Sequence, residues 1–222
     1  MERILVTFSG GVDSTTVLYH AINMLGIERV EAVSFDYGSK HNKRELEFAK
    51  NTANKLGVKH KIIELDFNKW GFKSDLLTSG GDIPEGHYEE ENMASTVVPF
   101  RNGIISAITA GYADSIGANI IMLGSHAGDH AIYRDCRKEF TEAMNKAVML
   151  GTDNEVVITS PFNEQSKTDI VRYRNNVLGV PYKDTWSCYK GGEKHCGKCG
   201  TCVERIEAFK EAGVEDPTEY EN

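Results

Sequence analysis

The sequence predicts an α/β fold, a Rossmann-like parallel sheet with helices on both faces. Two features carry that prediction. Short apolar runs alternate in strict order with longer amphipathic ones, the pattern of strands joined by crossover helices. A glycine turn, "SGGVDS", stands between the first apolar run and the first amphipathic one, where an open parallel sheet binds its ligands.

The elements follow in order. "RILVTF" (3–8) is a buried strand, and "TTVLYHAINMLG" (15–26) is a helix closed by Gly26. "VEAVSFDYG" (30–38) is the second strand. "NKRELEFAKNTANKLG" (42–57) has helical spacing at Leu46, Ala49, Ala53 and Leu56 and ends on a second glycine. "KHKIIELDF" (59–67) is the third strand. The helix-then-strand order returns at 102–117 and 119–125, and again at 138–151 and 155–162. Two regions break the rhythm. Residues 68–95 are polar and weakly periodic, which predicts a functional loop or lid. Residues 183–203 hold four of the five cysteines. The expected organisation is an α/β domain over 1–182 and a C-terminal metal-binding and helical segment over 183–222 packed on it.

The chain has 222 residues and a formal net charge of −8. That length suits one domain with an appendage. The acidic balance argues against broad non-specific binding to nucleic acid, which needs a basic face. No apolar run approaches the roughly 18 residues a membrane span requires. The N-terminus reads as a strand and not as a signal peptide. A cytoplasmic protein is expected, and five cysteines there suggest metal or redox chemistry over a disulfide scaffold.

In "SGGVDST", Gly10 and Gly11 can adopt positive φ and let a ligand approach the backbone. A helix starting near Ser14 offers unpaired N–H groups and a partial positive charge. Ser9, Ser14 and Thr15 add hydroxyls, so the turn reads as an anion cradle made mostly of backbone. Asp13 beside phosphate is tolerable if Mg²⁺ lies between them. The plain alternative is an ordinary turn with Asp13 or Ser14 as N-cap. In "CYKGGEKHCGKCGTC", Cys188, Cys196, Cys199 and Cys202 have a spacing that suits a closed, structural tetrahedral Zn²⁺ site. An iron–sulfur cluster or a thiol pair are the alternatives. Cys136 stands apart and reads as a buried small apolar residue.

The glycine turn lacks the lysine of a Walker loop and resembles the "SGGxDS" loop of the ATP pyrophosphatase superfamily. Further pieces narrow the likeness: "DYGSKHNKRELEFAKNTANKLGV" (36–58), "VVPFRN" (97–102), "GDHAIYRDCRKEF" (128–140), "SKTDIV" (166–171) and "SCYKGGEKHCGKCGTCVERIEAF" (187–209). Together these resemble the 7-cyano-7-deazaguanine synthase family through nearly the whole chain. The resemblance implies an adenine nucleotide alpha hydrolase-like fold and a ligase using ATP, Mg²⁺ and structural Zn²⁺. Its implied chemistry converts 7-carboxy-7-deazaguanine and ammonia to a nitrile. ATP activates the carboxylate as an acyl-adenylate, ammonia gives an amide, and a second ATP activates the amide oxygen.

By the same resemblance, Phe8, Ser9, Gly10, Gly11, Val12, Asp13, Ser14 and Thr15 would hold ATP, with Phe35, Tyr37 and His41 on its adenosine side. Ser9, Asp13, Ser14 and Lys167 would carry the chemistry. Arg101 could grip a carboxylate or phosphate with its planar fork, and with Asn102 and Arg137 would contact the substrate. Asp129 or Asp135 could accept from the guanine-like edge of the base, or Asp135 could cap the helix starting near Arg137. His126 and His130 read as polar lining. Phe100 and Arg134 depart from the commoner pattern, which has glycine and proline there. A homodimer is the family expectation. Two alternatives remain: a relative that joins the adenylated deazaguanine to a protein amine, and a tRNA-modifying enzyme of the same superfamily.

Overall fold

The computed structural model describes residues 1–87, 90–173, 178–179 and 181–221. Five strands form one sheet: β1 (Ile4–Thr7), β2 (Val30–Asp36), β3 (Lys59–Glu64), β4 (Ile120–Met122) and β5 (Val157–Thr159). Their order is β3-β2-β1-β4-β5, and every pairing is parallel. Among the described residues the α-helices are α1 (Val12–Leu25), α2 (Asn42–Leu56), α3 (Arg101–Ile116), α4 (Lys138–Gly151), α5 (Lys167–Tyr173) and α6 (Gly200–Ala212).

β1 is central, and its apolar run is covered on both faces, as a parallel strand requires. Successive side chains point to opposite faces. Ile4 and Val6 pack with Val17, Leu18 and Ala21 of α1, Ala49 and Ala53 of α2, and Ile170 of α5. Leu5 joins Ala110 and Ala113 of α3, Val148 of α4 and the four clustered cysteines on the other face. The cysteine segment therefore shares the core of the sheet.

Two predicted features shift. Helix α1 starts at Val12, earlier than Ser14, with Gly11 as its N-cap. Gly10, at φ 83°, turns the chain directly into the helix, so Asp13 and Ser14 lie inside the first turn and do not cap it. The 68–95 stretch is anchored. Leu76 and Leu77 are fully buried, and Met93 and Ile83 nearly so. Tyr88 and Glu89 lie outside the described residues. Ser39 bridges Leu77 at one end, and Glu85 bridges Cys199 at the other. Lys40 Nζ donates to Asp75 O at 2.7 Å, and Gly86 N to Lys198 O at 3.0 Å. Among the described residues no helix is long and apolar enough to cross a membrane.

Candidate active site and cysteine centre

The strand order reverses at β1, where β2 leaves on one side and β4 on the other. At that switch point a cavity of about 230 Å³ opens beyond the carboxyl ends of β1, β2 and β4, as the fold dictates. Its floor is the turn before α1. Ser9 N donates to Ser14 Oγ at 3.2 Å, and the Ser9 and Ser14 hydroxyls lie 3.1 Å apart. Gly11 N donates to Ser9 Oγ at 3.3 Å. The first intrahelical bond runs from Thr15 N to Gly11 O at 3.0 Å. The amides of Val12, Asp13 and Ser14 precede it and are the orphan donors of a helix start.

One wall is charged. Asp13 Oδ2 lies 3.4 Å from Lys167 Nζ and 3.8 Å from His126 Nε2. Lys167 also pairs with Glu204 Oε2, reaching in from α6. Burial alone would lower Lys167; the Asp13 and Glu204 carboxylates outweigh it and hold the ammonium above its ordinary range. His126 accepts from Gly128 N at 3.0 Å through Nδ1. Its Nε2 faces Asp129 Oδ1 and Glu204 Oε1, each at 3.6 Å. Asp13 Oδ1 is buried without a hydrogen-bond partner among the described residues.

The opposite wall is aromatic and carries one guanidinium. Arg101 Nη1 donates to Tyr37 Oη at 3.2 Å, and its fork lies 5.6 Å from the Tyr37 ring centroid. Among the described residues Arg101 makes no ion pair. Two titratable neighbours leave its charge standing at neutral pH. Burial raises Glu45 to about 8, with Arg101 opposing. Burial and then the Arg101 charge lower His41 to about 3. Glu45 therefore keeps its proton and His41 lacks one. The recess is positive, an environment made for an anion.

The four cysteines form a second centre. One ligand atom from each of Cys188, Cys196, Cys199 and Cys202 lies within 4.8 Å of all the others, and all four residues are buried. Cys196 N donates to Cys188 Sγ at 3.4 Å, and Lys198 N and Cys199 N donate to Cys196 Sγ at 3.4 and 3.3 Å. Such amide donors stabilise thiolates. Cys199 is also the N-cap of α6, so the centre fixes where that helix begins.

The family model described as queuosine biosynthesis protein QueC matches residues 3–213. The chain belongs to the QueC family. It is 57% identical over 217 residues to the 7-cyano-7-deazaguanine synthase of Porphyromonas gingivalis, covering 98% of this chain and 96% of that protein. The synthase of Methanoregula boonei is 49% identical over 221 residues, with both chains covered completely. Among solved structures, the U34-tRNA thiolase NcsA from Methanococcus maripaludis, with its [4Fe-4S] cluster, aligns at a TM-score of 0.50 and 11% identity. The alignment covers 95% of this chain and 67% of that one, a likeness of fold alone.

Within this QueC-family cavity the structure gathers most of the residues singled out in the sequence. Phe8, Ser9, Gly11, Val12, Asp13, Ser14, Phe35, Tyr37, His41, Arg101, Asn102, Asp129 and Lys167 line it. Gly10 and Thr15, also singled out, do not line it. Asp135 does not line it: Asp135 Oδ2 accepts from Asn102 N at 2.8 Å, which serves the first turn of α3. It makes no side-chain cap for α4, whose N-cap is Arg137. Arg137 is exposed, its Nε donating to His130 O at 3.0 Å. Cys136, read as an isolated buried thiol, lines the cavity and accepts from Asn102 Nδ2 at 2.9 Å. Sequence reasoning missed Glu45, which looks like a helix-surface acid, and Glu204, which follows the last of the four cysteines by two residues. Phe100 sits at φ 55°, the left-handed region that favours glycine.

Proposed function

We propose that this chain converts 7-carboxy-7-deazaguanine and ammonia to 7-cyano-7-deazaguanine at the expense of ATP. The observation that carries this reading is the two-sided cavity. A backbone anion cradle with Asp13 and Lys167 and an anion recess at Arg101 line the same cavity. Family membership supplies the reaction class.

In this reading the Val12, Asp13 and Ser14 amides and the Ser9 and Ser14 hydroxyls receive the terminal phosphates. Phe35, Tyr37 and His41 flank the adenosine. Lys167 keeps its charge beside the phosphates, and Arg101 fixes the acid's carboxylate near the α-phosphorus. A carboxylate is a poor acyl donor because its oxygen leaves badly, and adenylation corrects that. The protein then contributes placement and fixed charge. Mg²⁺ fits the donor set: the unpartnered Asp13 Oδ1 gives it a carboxylate ligand, and its charge would offset the phosphates. Of the two aspartates weighed for the base edge only Asp129 lines the cavity; its Oδ2 accepts from His126 N at 3.1 Å, and the reading gives it the base edge.

We assign zinc to the cysteine centre. Four thiolates about 2.3 Å from a tetrahedral ion lie about 3.8 Å apart, and the Cys196–Cys202 sulfur separation is 3.9 Å. Thiolates around a four-iron cubane each hold a separate iron and stand farther apart than the 4.8 Å limit seen here. A homodimer in the cytoplasm, using free ammonia, completes the proposal.

The test is to incubate the purified chain with ATP, the carboxy-deazaguanine and ammonium and to read the products by mass spectrometry. The nitrile with AMP and pyrophosphate is expected. ADP as the nucleotide product overturns the mechanism, and AMP without nitrile moves the acceptor to another amine.

A further inference from the structure

Glu204 does not line the cavity, yet it touches two residues that do. Its Oε2 pairs with Lys167 Nζ, and its Oε1 lies 3.6 Å from His126 Nε2. It arrives from α6, two residues past Cys202. Helix α6 is itself tied along α5: Thr168 Oγ1 donates to Glu211 Oε2 at 2.9 Å, and Arg172 Nη2 to Glu211 O at 2.7 Å. The backbone also makes room for this carboxylate. A Cβ on Gly128 would come within 2.9 Å of Glu204 Oε1 and 2.8 Å of His126 Cε1.

We infer that Glu204 is a positioning residue for Lys167, holding the ammonium toward the phosphate turn from behind. Lys167 has carboxylates on two sides, Asp13 within the cavity and Glu204 outside it, and both side chains of the Lys167–Glu204 pair are at least 85% buried. Without Glu204 the pull on the ammonium shifts toward the cavity-side carboxylates, Asp13 at 3.4 Å and then Asp129. With Glu204 in place Lys167 is shared between them and points at the incoming phosphates. The cysteine centre then has a second consequence. By fixing the start of α6, it sets where Glu204 reaches the cavity wall.

The assignment rests on the proposed nucleotide reading of the cavity, but its test needs no turnover. ATP binding is measured by calorimetry on the full chain without the acid substrate, beside metal content by elemental analysis. By charge alone, Glu204→Gln removes a negative group near a polyanion and should tighten ATP. Positioning predicts the opposite, a Kd raised about tenfold, the value of one charge-assisted hydrogen bond, with bound metal unchanged. Glu204→Asp keeps the charge but shortens the reach, and should weaken ATP similarly. In a Lys167→Met chain, Glu204→Gln should change the Kd less than about twofold, because the two residues act as a unit. Unchanged or tighter ATP binding in Glu204→Gln overturns the inference. So does a weakening that persists without Lys167, or one that tracks metal loss. A chain that binds ATP in this way and yields no AMP would sink the proposed reaction and leave the role of Glu204 standing.

Discussion

Gly10 and Ala49 stand so close that a Cβ on Gly10 would lie 2.8 Å from the Ala49 amide nitrogen, and equally close to the Glu45 carbonyl oxygen. Both obstacles are backbone of α2 and cannot swing aside. The glycine also sits at φ 83°, which costs other residues about 1–2 kcal/mol. Gly10→Ala is therefore expected to lose more than about 2 kcal/mol of stability in denaturant titration. Its KM for ATP should rise as well, since the phosphate turn must move off α2. An alanine variant with wild-type midpoint and KM would contradict the close packing.

Arg205 is fully buried, and Asp216 grips it through Nε at 3.1 Å and Nη2 at 3.0 Å. Burial would raise Asp216, but the hydrogen bonds and charge of Arg205 prevail and hold it below the usual carboxylate range. A depressed acid contributes stability above its unfolded pKa of about 3.9 and loses it as pH falls through the folded value. Asp216→Asn should cost about 3 kcal/mol at neutral pH, because it strands a buried cation. The gap in melting temperature between variant and wild type should start to narrow only below about pH 4 and close as pH falls through the lower folded value. A constant gap down to strong acid would count against the ion pair as the cause.

Glu45 carries the reverse sign. Its folded pKa is raised to about 8 by burial, above an unfolded value of about 4.3. The stability tied to its proton is complete below about pH 4.3 and drains away as pH climbs toward the folded value. Glu45→Gln should therefore match the wild type in mild acid and melt higher at pH 8. Parallel melting curves from pH 5 to 8 would show that the side chain is not desolvated.

Arg101→Lys separates the two walls of the cavity. Lysine keeps the charge and loses the planar fork. Binding of the heterocyclic acid should weaken about tenfold, the scale of one charge-assisted hydrogen bond, while ATP affinity stays within about twofold. Equal losses for both ligands would place Arg101 on the nucleotide.

Cys202→Ser removes one thiolate from the centre that starts α6. Metal content should fall, and the melting transition with it, because binding free energy at such a site is folding free energy. A chelator should act on the wild type in the same direction. Full metal content in the serine variant would mean that three sulfurs suffice.

What could be read in advance divides along physical lines. Strand and helix order was legible because periodicity is local: Ile4, Leu5 and Val6 announce a strand buried on both faces, and Leu46, Ala49 and Ala53 a helix. The start of α1 at Val12 was not, since it depends on the turn at Gly10 against α2. The glycine turn at the cavity floor and the four cysteines were legible because each is contiguous. Glu204 and Glu45 were not, because each acquires its partner only when a distant helix docks. Asp135 could have been a base reader from its neighbours alone. Its bond to Asn102 N, formed across 33 residues, is a tertiary fact.

The 68–95 stretch behaves as a girdle. It is fastened to the sheet end at Lys40 and to the cysteine segment at Gly86, with Leu76 and Leu77 sunk between. Raising it would expose two leucines at about 1.5–3 kcal/mol each and break both fastenings. Shortening the girdle would therefore loosen the cavity floor and the thiolate centre together.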